Sequence, residues 1–328
     1  RYLFDEEGAV LTGWIYDRGD GSSEQYLRVD TDSQESDKEL CRDNPENMMY
    51  GTEGGALATN QWVDAIPPWD DEDDDSRSFY ADSSSYIVTG SGARGSGTSL
   101  SARRKAQKLD EIGTYILEGW STDVNVTRID GKYYCLEDSG TRIDGMIFLS
   151  GAEGDPSFGD GLYCFMDNAA MKTGPVMKEN VDDDDGSDGY VYYYYFSERS
   201  NSKYSKGQGI SGVSAGRLYY QGLAVGAQFD TCEVVYLPTL EEKDDTGKST
   251  GFFLVDGSGR VKKGTRGGSH YVSSDGNEYR VTKISDKNDE YGYVIDYYDG
   301  EKDDDNRRVW KSLTEKDYDY ICWDTVEE

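Results

Sequence analysis

Three patterns in the sequence combine residue types that can do chemistry. Gly212-Val213-Ser214-Ala215-Gly216 has the spacing of a nucleophile elbow, and Asp230, Asp244 or Asp256 and then His270 follow it in relay order. An elbow must join a strand to a helix, because that sharp bend is what exposes the hydroxyl. Here Arg217-Leu218-Tyr219-Tyr220 follows, which reads as a strand, and His270, the sole histidine, lies inside a repeated unit. A hydrolase relay is rejected on both grounds. Gly90-Ser91-Gly92-Ala93-Arg94-Gly95 and Gly207-Gln208-Gly209-Ile210-Ser211-Gly212 both match G-x-G-x-x-G, with Asp110 a suitable distance beyond the first. Neither opens the apolar helix that a dinucleotide-binding βαβ unit requires. In a glycine-rich chain such matches carry little weight.

The carboxylate runs Asp70–Asp75 and Asp182–Asp185 read as solvated loops. The second is no EF-hand, since counting around Gly186 puts Val181 at the first ligand position and Tyr192 at the twelfth. Loose calcium binding by Asp182–Asp185 or Asp303–Asp305 stays open. Paired carboxylates for glycoside cleavage need a deep cleft, which a thin repeat array rarely makes. The reading is of a protein that is not an enzyme, with no metal site and no cofactor.

What remains is aromatic. The 328 residues hold 27 Tyr, and aromatics make up 13% against an apolar content of only 35%. A disordered acidic chain is poor in aromatics, so this chain folds on a thin core of Tyr and Phe. The formal net charge of −31 excludes nucleic acid as a partner, because phosphate contact needs clustered Lys and Arg.

The element that positions these rings is a repeated stretch of the form Tyr2-Leu3-Phe4-Asp5-Glu6-Glu7-Gly8-Ala9-Val10-Leu11-Thr12-Gly13-Trp14. Tyr2 to Phe4 predicts a strand, Asp5 to Gly8 a turn with Gly8 at positive φ, and Ala9 to Leu11 the return strand. Gly13-Trp14 then presents a large ring to the next unit. Further units start near Tyr50, Phe79, Leu109, Tyr133 and Leu162, with degraded copies around Tyr193, Arg217, Gly251 and His270. Such periodicity decides the fold before anything else does. It predicts an all-β, elongated solenoid of stacked β-hairpin repeats with irregular insertions, since each unit buries surface only against its neighbours.

Residues 1–69 form N-terminal hairpin repeats, with Tyr26-Leu27-Arg28-Val29 as an extra strand and a chain turn where Trp62 and Trp69 bracket Pro67-Pro68. Residues 70–108 are an acidic and Gly/Ser-rich insertion carrying one repeat, in which Gly90 to Ala106 is expected to be a loop. Residues 109–180 are central repeats, and 181–328 a C-terminal repeat region with irregular strands and a capping tail. The five cysteines are far apart and lack zinc spacing. Cys135 and Cys164 read as small apolar strand residues, with a disulfide between them as the minority reading. No apolar run is long enough to span a bilayer. The start at Arg1, already inside a repeat, reads as a fragment or mature form.

The unit resembles the cell-wall-binding repeat of Gram-positive surface proteins, a family of choline-binding modules, glucan-binding modules and clostridial toxin tails. Arg1 to Trp14 fits its pattern well, and residues 190–281 look similar to clostridial surface proteins through Tyr192-Tyr193-Tyr194-Tyr195-Phe196, Gly216-Arg217-Leu218-Tyr219-Tyr220 and Phe253-Leu254-Val255-Asp256. The resemblance implies a secreted protein of the cell wall or cell surface. It implies ligands held between hairpins in aromatic cages, as choline held by ring faces or as stacked sugars. Trp14, Trp62 and Trp120 match the Gly-Trp position, and Tyr134 and Tyr163 match the strand aromatic that completes a cage. Met146, Pro175 and Thr265 stand where other units should have the Trp. The expected function is a non-catalytic wall- or carbohydrate-binding module whose partner is wall polymer, choline or glycan. The alternatives are a structural or adhesive stalk with decayed ligand sites, or the wall-targeting module of an enzyme.

Overall fold

A computed structural model describes residues 1–21, 24–72, 74–89, 93–97, 121–150, 158–166, 169–179, 191–226, 232–237, 251–273, 276–283 and 293–313. These residues form several β-sheets, and every pairing between strands is antiparallel.

The building block is a tight hairpin closed the same way in unit after unit. Glycine or a small residue at positive φ donates its N–H to the carbonyl three residues earlier: Gly8 to Asp5 (3.1 Å), Gly55 to Thr52 (2.7 Å), Ser85 to Asp82 (3.1 Å), Gly140 to Glu137 (2.8 Å), Gly259 to Asp256 (2.8 Å), and Asn306 to Asp303 (2.9 Å). Gly276 does the same to Ser273 at 3.1 Å. The first turn residue also donates to the carbonyl four residues on, as from Asp5 to Ala9 and from Asp82 to Tyr86, both 2.9 Å. A type I turn followed by a left-handed residue gives this hairpin its register. The side chain at the first position fixes it further. Asp5, Asp82, Asp256 and Asp303 each use Oδ1 to accept the N–H four residues ahead, at 2.7, 3.1, 3.0 and 2.8 Å. The repeat therefore lives in a carboxylate as well as in a glycine.

Neighbouring hairpins join by one backbone rule. The Leu57 N–H donates to the Arg1 carbonyl at 2.9 Å, and the Ile87 N–H donates to the Met48 carbonyl at 2.8 Å. Bridges Tyr2↔Ala56 and Met49↔Tyr86 accompany them. Connecting strands fill the other edge, with Gly13–Asp17 pairing Met48–Gly51 and Gln61–Ala65 pairing Arg77–Ala81. Between successive hairpins lie separate small cores. Leu3, Leu11, Met49 and Leu57 form one, Met48, Ala58, Phe79, Ala81 and Ile87 the next, and Tyr80, Tyr134 and Leu136 a third.

Two expectations are met: Tyr26–Val29 is a strand that pairs with Gly13–Asp17, and the chain turns at Pro67-Pro68 with the Asp70 N–H donating to the Pro67 carbonyl at 3.1 Å. Further along, Cys232–Tyr236 pairs with Phe252–Asp256. The segment Gly90 to Ala106 was expected to be a loop, but Ala93–Gly97 is a strand in the middle of a seven-stranded sheet, between Gly145–Ser150 and Ser121–Ile129. The first G-x-G-x-x-G match thus runs into a strand. A helix, Glu35–Asp43, crosses the polar stretch after Tyr26–Val29, with Cys41 its buried residue and an Arg42–Glu35 ion pair at 3.5 Å. Arg217–Tyr220 is a strand, joined to Gly212–Ser214 by the two-residue turn Ala215-Gly216, so the nucleophile-elbow match is a hairpin. No helix among the described residues is long and apolar enough to cross a membrane. Cys135 and Cys164 sit buried as thiols in different cores, and burial pushes the Cys135 thiol up to about 12.

Candidate functional site

The sequence singled out Trp14, Trp62, Trp120, Tyr134 and Tyr163. The stacking rule brings Trp62 and Tyr134 together, and Trp14, Tyr134 and Tyr163 are all buried. Trp120 lies outside the described residues, as do Asp230, Asp244 and Asp182–Asp185.

Trp14 is 5% exposed. Its ring meets Tyr50 edge-on at 5.2 Å and Phe79 edge-on at 4.9 Å. Its Nε1–H donates to the Ile66 carbonyl at 2.6 Å, so both the ring and its polar corner are satisfied within the protein. Tyr163 is buried in the seven-stranded sheet, donates to the Gly159 carbonyl at 2.8 Å, and has its phenol pushed up to about 12 by burial.

Trp62 and Tyr134 do meet. Their ring centroids are 4.9 Å apart at a 58° tilt, and Tyr80 stands edge-on to Trp62 at 5.3 Å. Three hairpins supply these rings. Trp62 follows the turn at Thr52, Tyr80 precedes the turn at Asp82, and Tyr134 precedes the turn at Glu137. Trp62 stays half-buried. The Arg142 guanidinium lies over its ring at 4.8 Å, in the place where a ring quadrupole attracts a cation. Arg142 comes from the return strand after Gly140, where its register partner is Leu136. The Tyr80 hydroxyl donates to Asp130 at 3.5 Å, and burial together with that carboxylate raises the Tyr80 phenol above its ordinary range. The junction is thus a ring platform with one cationic hydrogen-bond donor already on it. Of these three rings Trp62 is the one that keeps exposed surface, since Tyr80 is 6% and Tyr134 7% exposed.

Sequence reading missed Tyr80 and Arg142. Tyr80 was legible as a strand aromatic, but Arg142 has no motif. Its role follows only from the register across the hairpin. A second ring cluster was also missed. Trp310 lies 5.0 Å from His270 and 5.9 Å from Tyr298, with Arg280 over Trp310 at 4.9 Å and Arg308 over Tyr298 at 5.1 Å. His270, Arg280, Asp296 and Ser312 are successive partners across one sheet. Asp296, buried, accepts from Arg280 at 2.7 Å and from Ser312 at 3.1 Å. His270 therefore belongs to a sheet face, with Arg280 as its register partner. Among the described residues no group of His, Cys, Asp and Glu is placed to hold a metal ion.

No family model matches the chain, and no curated protein matches it. Among solved structures the chain is similar to CbpF in complex with ipratropium, at 12% identity and a TM-score of 0.34, over 94% of this chain and 93% of that one. It is similar to choline binding protein F from Streptococcus pneumoniae in the presence of a peptidoglycan analogue, at 12% identity and a TM-score of 0.30, over 80% and 83%. It is also similar to CbpJ from Streptococcus pneumoniae TIGR4, at 14% identity and a TM-score of 0.24, over 84% and 83%. Likeness at this level defines neither a family nor a ligand.

Proposed function

We propose that this protein is a non-catalytic, extracellular repeat module, a row of stacked hairpins that holds a surface protein to wall polymer or glycan. The Trp62 junction is the binding site. The observation that carries this reading is the half-buried Trp62 ring, backed by the buried Tyr80 and Tyr134 from two other hairpins and overlain by Arg142. Sugar stacking needs an aromatic face with a donor beside it; Trp62 keeps partial exposure, and Arg142 is the donor at its ring. A glycan suits the site better than choline, because an Arg142 guanidinium displaced to the rim of the ring can donate to sugar hydroxyls but repels a quaternary ammonium. Choline binding requires Arg142 to swing away. The surface location rests on the resemblance of the turn-and-Trp repeat.

The closed state of Trp14 and Tyr163 favours a second reading, a spacing stalk whose former cages have become cores. Sedimentation of the chain with purified cell wall separates the two. Binding lost in Trp62→Ala but kept in Tyr163→Phe supports the module, and wall binding unaffected by Trp62→Ala supports the stalk. Addition of choline distinguishes the ligands. If Arg142→Ala strengthens choline binding while weakening wall binding, both ligand chemistries use the same ring. Hydrolysis of wall material by this chain would overturn both readings.

A further inference from the structure

Acidic side chains outnumber basic ones by 65 to 34 in this chain, yet long stretches hold none. Between Glu198 and Asp230 there is no Asp or Glu, and Arg199, Lys203, Lys206 and Arg217 fall in that stretch. Between Asp256 and Asp275 there is again none, and Arg260, Lys262, Lys263 and Arg266 fall there. The fold brings these two stretches together. The Leu218 N–H donates to the Gly259 carbonyl at 2.8 Å, and the Val261 N–H donates to the Gly216 carbonyl at 3.0 Å.

Those two bonds flank the bridge Arg217↔Arg260. Residues so placed form a non-hydrogen-bonded antiparallel pair, the kind whose side chains come closest, with Cα atoms about 4.5 Å apart. Both side chains leave the same face, where like charges directly opposite each other are destabilising. No carboxylate offsets them. The Asp256 carboxylate is engaged by Lys262 at 3.0 Å and by the Ser258 and Arg260 N–H groups of its own turn. Among the described residues no acidic side chain pairs with Arg217 or Arg260.

The two arginines differ in freedom. The Arg217 Nε donates to the Ser258 carbonyl at 3.1 Å, its guanidinium lies over the Tyr193 ring at 4.0 Å, and it also meets the Tyr219 hydroxyl. Arg260 is exposed, and its guanidinium has no partner among the described residues. Ser214, the serine of the nucleophile-elbow match, is the register partner of Arg217 on its other side. A hydroxyl and two guanidiniums therefore stand in one row across three chain segments.

We propose that the row Ser214, Arg217 and Arg260 is a phosphate-binding site. One bidentate arginine fills a carboxylate, whereas a phosphate group has oxygens enough to bridge two arginines. A bound phosphate removes the repulsion that the bridge imposes on the pair, so binding and stability are linked. The ring and the Ser258 carbonyl already hold Arg217, which leaves the ordering cost to Arg260. The lack of Asp and Glu in both stretches gives a local field that a chain of net charge −31 denies to anions elsewhere.

Melting of the full chain is compared in inorganic phosphate and in sodium chloride at matched pH and ionic strength. The Arg217 Nε–H resonance is titrated with inorganic phosphate, with short polyphosphate and with glutarate. The proposal expects phosphate to raise the melting temperature above its value in chloride and to shift that resonance saturably. Arg260→Gln is expected to weaken phosphate binding at least about tenfold, while melting no lower than the parent in chloride because the like-charge pair is gone. Polyphosphate bound more tightly per phosphate group assigns a phosphodiester chain as the ligand, and equal binding assigns a single phosphate group; both uphold the site. Equal melting in the two salts, or unchanged phosphate binding in Arg260→Gln, overturns it. Glutarate bound as tightly as phosphate overturns the phosphate assignment in favour of a carboxylate ligand. None of these readouts uses cell wall or Trp62, so this inference and the proposed function fail separately.

Discussion

At the Trp14 junction the indole meets Tyr50 from the next hairpin and Phe79 from the one after. At the Trp62 junction the indole meets Tyr80 from the next hairpin and Tyr134 from the one after. The same stacking rule builds both, and the partners occupy matching places before their turns. Where they differ is small. Phe79 becomes Tyr134, and the aliphatic Ile87, packed in the first core, becomes Arg142. An aliphatic side chain there closes a dry core over Trp14. A guanidinium must keep its head hydrated or paired, so it holds the second junction ajar and Trp62 half-buried. A tryptophan in this repeat is fully covered or left half-buried according to the residue that arrives across the seam.

The largest expected difference between the junctions is in stability. Trp14→Ala empties a closed core and orphans the Ile66 carbonyl, so it is expected to cost about 3–5 kcal/mol, against about 1–2 kcal/mol for Trp62→Ala. Urea unfolding of both variants checks this, and equal costs would erase the distinction.

Turn glycines give the next contrast. Gly140 sits at φ +85, and an added Cβ would strike Ile87 and the Val88 carbonyl at 2.8 and 2.9 Å, while Gly8 at φ +80 is open. Gly140→Ala is expected to cost about 2–4 kcal/mol from strain plus overpacking, and Gly8→Ala about 1 kcal/mol from backbone strain alone. Thermal melts of the pair decide it, and a Gly8→Ala as damaging as Gly140→Ala would mean the first turn is packed after all.

Those glycines were the legible part of the fold. A polar residue three places before a glycine, with apolar residues on both sides, announces a hairpin in sequence, and Gly8, Gly140 and Gly259 all stand at such bends. Ser85 does the same work at φ 79 and is invisible to a search for glycine. The helix Glu35–Asp43 was not read because Cys41 is its buried residue, so it has no apolar stripe. Ala93–Gly97 was not read because Gly and Ser have poor strand propensity and only the surrounding sheet makes them a strand. In the site, Trp62 and Tyr134 were legible as ring positions. Arg142 was not, since its meaning depends on a register that composition does not state.

The carboxylate that heads a turn gives a smaller, pH-dependent effect. Burial tends to raise the Asp256 carboxyl, but hydrogen bonds from Lys262 at 3.0 Å, Ser258 and the Arg260 N–H outweigh it and hold it below its ordinary range. A depressed folded value stabilises the protein above the unfolded carboxylate pKa of about 3.9, and that stability is lost as pH falls through the folded value. Asp256→Asn is expected to cost about 1–2 kcal/mol at neutral pH and little once the wild-type carboxylate is protonated. Denaturation curves across pH show this as a convergence of the two proteins in acid, and a constant gap would contradict it.

The smallest change in stability comes from converting one junction into the other. Arg142→Ile is expected to alter stability by no more than about 1 kcal/mol, through loss of the cation over the Trp62 ring and gain of apolar contact, yet to close the platform and abolish wall binding. Retained binding in that variant would mean the ring face is not the contact.

The most direct measurement follows the indole N–H resonances of the folded chain while soluble wall glycan fragments are added. The account predicts a saturable shift of the Trp62 indole with the Trp14 indole, locked on the Ile66 carbonyl, standing still. A silent Trp62, or a Trp14 that moves first, would contradict it.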